Sequence, residues 1–275
     1  LQRYPQSLFS APQTGLARKK ISIMKKIHLL AVVILSLLLC SCAGKTLQPA
    51  DPAAAQNRWQ AFTQQSNIKA APFRDSLSMR FGKEGDTRRV TALIWGNGDK
   101  TLRLDVLAGV GAVVANIAQK DNHFFIYTPM QRKAYFHEGA SSPLLKVGVP
   151  LPFDLFSLEA LLNGRYTDVF GKEFVRAAQQ GDSIIYTLSA GAGGELTLGP
   201  DARPAAWTDG SWKLLFTPDD TGLLHRLDLS NNKGGKGIVI VKERDRTSSF
   251  GENQLKIQIP EGTELLPLER FQQAD

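Results

Sequence analysis

Cysteine is scarce in this 275-residue chain, with Cys40 and Cys42 the only two. Two thiols cannot build a disulfide framework or a four-thiolate zinc site. Histidine is almost as rare, at four residues. His123, His137 and His225 fall in separate predicted strands or turns without metal-like spacing. Acidic residues are missing from the first 41 positions, which hold all of Arg3, Arg18, Lys19, Lys20, Lys25 and Lys26. The rest of the chain then carries 27 basic against 26 acidic residues, so the net charge of +7 belongs to the leader. A near-neutral body without clustered Lys/Arg excludes a phosphate-tracking, nucleic-acid-binding surface.

Motifs of chemistry are missing too. There is no G-x-S-x-G, H-E-x-x-H, Walker A or EF-hand loop. Gly109-Val110-Gly111 begins like a dinucleotide fingerprint, but Val114 stands where the third glycine belongs and an apolar β-type run follows. No fixed-period repeat points to a propeller or solenoid. The residues present no catalytic constellation, and the reading is of a non-enzyme without cofactor or metal.

What is there begins with the leader. From Met24, Lys25 and Lys26 precede an apolar run, Leu29 to Leu39, broken only by Ser36. It falls short of the roughly 20 residues of a bilayer span and suits a secretory h-region. Leu39-Cys40-Ser41-Cys42 resembles a bacterial lipobox, with an aliphatic residue at −3 and small Ser41 at −1, which makes Cys42 the lipidation site. Processing there removes Cys40 and leaves no free thiol. Ala43, rather than Asp, follows Cys42; by resemblance to enterobacterial sorting rules this implies the outer membrane. The chain is therefore divided into a non-structural extension (1–23), a lipoprotein signal peptide (24–41), a tether (42–52) and a single domain (53–275).

Residues 53–66 lack Gly and Pro, and Trp59 and Phe62 share a face of the predicted helix. After Pro72 the period becomes 2. Phe73, Leu77, Met79 and Phe81 alternate with Arg74, Ser76, Ser78 and Arg80, and Asn97-Gly98 marks a hairpin. Strands are expected at 88–95, 101–107, 113–118, 123–128, 133–136, 184–189, 195–198, 212–217, 223–229, 237–244 and 254–259. Their spacing argues a mainly β, antiparallel meander of about 11 strands that curls or closes. Residues 190–210 read as an added Gly/Pro-rich loop. Gly148-Val149-Pro150-Leu151-Pro152 breaks the meander and leads into a short helix. Asp154 is its N-cap, Asn163 or Gly164 its left-handed end, and Leu155, Leu158 and Leu162 its apolar stripe. Trp95, Trp207 and Trp212 are expected in the core.

Together these features resemble the LolA/LolB family, and its LolB branch most closely. The run Arg103-Leu104-Asp105-Val106-Leu107-Ala108-Gly109-Val110-Gly111 is similar to the family strand that enters a protruding, apolar-tipped loop. Gly148-Val149-Pro150-Leu151-Pro152 with Leu161-Leu162-Asn163-Gly164 is similar to its Pro-x-Pro helix. The tip is Val110 where the LolB pattern has Leu, and Asn163 precedes the closing glycine.

The resemblance implies an unclosed antiparallel β-barrel with an N-terminal helix and a short helical lid, around a cavity for the acyl chains of other lipoproteins. Leu102, Leu104, Val106, Phe124 and Ile126 on the strands, with Leu151, Leu155 and Leu158 at the helix, are the expected lining. Leu107, Val110 and Val113 are the expected membrane-insertion loop. The implied partners are a LolA-like periplasmic carrier, the acyl chains of cargo lipoproteins and the inner leaflet of the outer membrane, for a lipid-anchored monomer on the periplasmic face. An alternative keeps the fold without transfer: an envelope sensor or structural lipoprotein similar to RseB, binding lipid or a protein partner.

Overall fold

The computed structural model describes residues 47–271, apart from 84, 99, 100, 110, 140–142, 148 and 150. The leader, Cys42 and Val110 lie outside the described residues.

The first helix, α1, runs Pro52–Gln65. The Asp51 carboxylate accepts from the Ala54 N–H at 2.8 Å, and Pro52 opens the helix, where a missing N–H costs nothing. Ala55, Trp59 and Phe62 form its buried face. A two-residue strand, β1 (Gln48–Pro49), precedes it inside the expected tether and pairs with β8, Phe174–Gln180.

Two meanders make the sheet. The first contains β2 (Phe73–Lys83), β3 (Asp86–Gly96), β4 (Thr101–Ala108), β5 (Ala112–Lys120), β6 (His123–Thr128) and β7 (Lys133–Glu138). A helical insertion follows, with α2 (Pro143–Lys146), α3 (Leu155–Leu162) and α4 (Tyr166–Phe170). The second meander adds to β8 the strands β9 (Ser183–Leu188), β10 (Glu195–Leu198), β11 (Pro204–Thr208), β12 (Trp212–Pro218), β13 (Leu224–Asn231) and β14 (Lys236–Asp245). The chain ends in α5 (Glu252–Leu255), β15 (Glu264–Pro267) and a 3-10 turn at Leu268–Arg270.

β14 pairs antiparallel with β2 from Lys236–Gly82 to Asp245–Arg74, which joins the meanders into one 15-stranded sheet. The order starts at β1 and ends at β15, the latter parallel to β7, so the sheet curls without closing. The unclosed, mainly β architecture matches the expectation. Alternation sets the inner face as the sequence implies: Phe73, Leu77 and Met79 on β2 and Leu102, Leu104 and Val106 on β4 are buried.

Four local expectations are corrected. Residues 254–259 are not a strand. Leu255 of α5 is buried against the outer face, and the Arg103 guanidinium donates to the carbonyls of Gln254 (3.2 Å) and Lys256 (3.0 Å), so a side chain takes the acceptors that a strand would have offered. The stretch 190–210 is not an added loop: besides the strand expected at 195–198, which is β10, it holds β11, with Leu196, Leu198 and Trp207 buried. Pro204 fits because it is the first residue of its strand. β8 was not expected, since its inner and outer positions are all polar or half-exposed apart from Phe174, Val175 and two alanines. Trp95 lies on the outer face, where the guanidiniums of Arg103 and Arg74 stand 5.1 and 5.9 Å from its ring.

Candidate functional site

The concave face of the sheet is plugged by α3. Its sequence, LFSLEALL, is apolar nearly all round, and only Phe156 and Ser157 escape full burial. Such a helix must be covered on every side. The Asp154 carboxylate accepts from the Ser157 N–H at 2.8 Å. The buried Gln119 of β5 holds the same end, accepting from the Leu155 N–H at 2.9 Å and donating to Asp154 at 3.0 Å. At the other end Gly164 takes φ +75°, the left-handed turn expected there. Arg244 of β14 donates to the Leu162 carbonyl at 2.8 Å.

Arg244 reaches inward because a bulge between Val241 and Glu243 changes the strand's parity. It lies 3.5 Å from Asp75 and 3.7 Å from Asp219. Asp75, wholly buried at an inner position of β2, also accepts from Arg246 at 2.5 and 3.2 Å. Burial pulls the Arg244 guanidinium below its ordinary pKa, against the opposing pull of Asp75. Within the insertion, wholly buried Glu159 is ion-paired to Arg165 and accepts from the Asn163 amide at 2.9 Å. Its carboxyl is pushed up by burial, with Arg165 opposing. Buried charges of this kind stand only when paired. They fix α3 across the sheet.

What α3 leaves uncovered is a cavity of about 580 Å³ at one end of the first meander. Val90, Val106, Ala108, Ala115, Ile117 and Ile126 supply the sheet side, and Val147 and Val149 the side of the strap after α2. Between the pairs Val106–Ala115 and Leu107–Val113 one residue of β5, Val114, has no partner. That bulge aims Val114 into the cavity. Met130, 86% exposed in the β6–β7 turn, and Arg88 stand at the mouth. The uncharged β4–β5 hairpin is at the same end, since Ala108 and Val114 belong to both.

Of the expected lining, Val106 and Ile126 line this cavity. Leu102, Leu104, Phe124, Leu151, Leu155 and Leu158 belong to the same buried core without lining it. Leu107 and Val113 face each other across the hairpin, with Val113 37% exposed. Val90, Ala108, Ala115 and Arg88 were missed. The available signal was small side chains at inner strand positions, where larger ones would have filled the space. A second hollow, about 560 Å³, lies on the outer face between Ala118, Phe125 and the α5 segment. Among the described residues no group of three or more His, Cys, Asp or Glu could hold a metal ion. No described helix is long and apolar enough to cross a membrane.

Fold and cavity together define an unclosed β-barrel with a helix-plugged, partly hollow apolar interior. No family model matches the sequence, and no curated protein matches it. Among solved structures, a LolA superfamily protein from Nitrosomonas europaea aligns with a TM-score of 0.53 at 10% identity, covering 74% of this chain and 97% of that one. A DUF1329 family protein from Desulfovibrio piger gives 0.48 at 10% identity, covering 75% and 98%. A putative outer membrane lipoprotein-sorting protein domain from Vibrio parahaemolyticus gives 0.46 at 11% identity, covering 74% and 94%. At such identity the likeness is one of fold: the chain has the fold of the LolA superfamily protein.

Proposed function

We propose that this chain is a lipoprotein-transfer protein of the LolB kind. Lipid on Cys42 holds it to the periplasmic face of the outer membrane. The cavity accepts an acyl chain of a cargo lipoprotein from a LolA-like periplasmic carrier. The hairpin Leu107–Val113 brings the cavity mouth to the bilayer, and Val110 is the residue taken to enter it. The observation that carries this reading is the coincidence of an apolar cavity with an uncharged hairpin at the same strand ends. Strand connections normally sit in water and are polar, and the volume falls in the roughly 300–1,000 Å³ range of small-ligand sites.

The energetics limit how transfer proceeds. Drawing an acyl chain of about 16 carbons into water costs on the order of 12 kcal/mol, at about 0.8 kcal/mol per methylene. Cargo must pass from cavity to cavity without meeting water, and with matched cavities no nucleotide is required. One buried valine contributes only about 1.5–3 kcal/mol, so Val110 biases the place of release while acylation supplies the anchor.

An acylated peptide should displace an environment-sensitive apolar dye from the folded protein. Depletion of the protein should leave other outer-membrane lipoproteins in the periplasm. Failure of the peptide to compete would reduce the hollow to imperfect packing, and unchanged lipoprotein sorting on depletion would favour a sensor or structural role. Val110→Glu should preserve folding and cargo acceptance while impairing insertion into liposomes; normal insertion by that variant removes the loop from the mechanism.

A further inference from the structure

The cavity's wall is aliphatic, but its mouth is not neutral. Arg88 stands on β3 opposite Phe81 of β2, two residues before Val90, so it shares the inner face with both. All three residues line the cavity. Arg88 is exposed and has no hydrogen-bond or ion-pair partner among the described residues. Its neighbour Arg89 also lines the mouth, while its Nε donates to Ser78 Oγ at 3.2 Å. No lining residue among those described is acidic, and Asp86, on the same strand face as Arg88, is not ion-paired with it. Gln131 and Thr128 add neutral polar groups at the same opening.

An apolar chamber whose rim carries a guanidinium paired with no carboxylate among the described residues selects for a molecule with the opposite arrangement. Its tail would fill the chamber, and an acceptor-only anion would meet a planar fork of N–H donors. We infer that a ligand of this cavity is an acyl lipid with a negatively charged polar end, a carboxylate or phosphate, held by Arg88 at the mouth. The inference rests on the acyl-chain reading of the cavity but goes beyond a lipoprotein cargo, whose acylated cysteine carries only neutral amide, thioether and ester groups, and names an anionic lipid as a further ligand of the same chamber. Because Arg88 is exposed, its ion pair is worth little more than a surface pair, a loss of about fivefold in occupancy when removed. It discriminates between heads rather than supplying the bulk of the affinity.

Photo-crosslinking on the full chain in membranes tests this. Three diazirine-bearing probes of equal chain length are used: a palmitate, a lysophosphatidate and the neutral hexadecanol. Labelled peptides are mapped by mass spectrometry. The acidic probes should label the 112–120 and 123–128 strands more strongly than hexadecanol. Arg88→Gln should cut that labelling about fivefold without changing the hexadecanol signal, and Arg88→Lys should restore most of it. The stronger of the two acidic probes identifies the head as carboxylate or phosphate. Equal labelling by all three probes, unchanged in Arg88→Gln, overturns the head-group inference and leaves the acyl cavity standing. Absence of label from both strands with every probe overturns the acyl cavity itself.

Discussion

Around α1 and the second meander the interior is filled with rings. Trp59 lies 4.9 Å from Phe62, 5.2 Å from Phe174 and 4.8 Å from Tyr186, centroid to centroid. Phe170 and Trp207 continue the cluster at 6.2 Å, and Phe153 meets Trp207 at 5.4 Å. Along β3 to β6 the corresponding inner positions, apart from Arg88 and Thr128 at the mouth, hold valine, alanine and isoleucine, and space remains. Both halves are antiparallel hairpins of the same curled sheet. Side-chain volume, not backbone topology, decides which half is core and which is chamber. The filled half holds the aromatic cluster, and the hollow half keeps the space in which the proposed ligand would sit.

Breaking the filled half should cost most. Trp59→Ala removes three ring contacts and the indole donor to the Lys172 carbonyl at 2.9 Å. A loss of about 3–5 kcal/mol is expected in urea unfolding. Next comes the clamp between the halves. Arg244→Met strips the Leu162 carbonyl of its donor and leaves Asp75 with Arg246 alone, an expected loss of about 3 kcal/mol. Hydrogen exchange should show α3 opening ahead of β12–β14, and uniform protection would mean the clamp is not local.

Filling the hollow half should act in the reverse sense. Ala115→Phe projects a ring into the chamber, so stability should move by about 1 kcal/mol or less while acyl-probe binding disappears. A melting temperature that collapses would show Ala115 to be tightly packed.

The smallest effect is on pH dependence, and it belongs to the filled half. Burial pushes Tyr166 and Tyr186 up to about 12, and the Tyr186 hydroxyl donates to the Ala55 carbonyl at 2.9 Å. In the unfolded chain a tyrosine ionises near 10, so between pH 10 and 12 the folded state holds protons that the unfolded state has lost. This part of the stability is full below pH 10 and falls as pH rises through 12. Tyr186→Phe should flatten that alkaline decline, and an unaltered slope would exclude Tyr186 as a contributor.

The first meander was legible in the sequence because polar and apolar residues alternate cleanly along β2 and β4. The ends of α3 were legible because Asp154 and Gly164 perform the local chemistry that stops require. Three things were hidden. Pro204, with Gly199 before it and Gly210 after it, reads as loop punctuation, although Pro204–Thr208 is a strand paired on both sides. Bulges at Val114 and before Glu243 change parity, which aims Val114 and Arg244 inward against simple alternation. Alternation also reports which way a residue points, not whether anything meets it there. Leu102 and Ala115 are both inward, but one is packed and the other walls a void.

The most direct measurement is a titration of the folded protein with a fluorescent fatty acid, run in parallel on the wild type and Ala115→Phe at matched stability. Saturable single-site binding by the wild type, abolished by Ala115→Phe, is the result that a chamber walled by β3–β6 predicts. Binding that is absent in the wild type, or undiminished by Ala115→Phe, would contradict it.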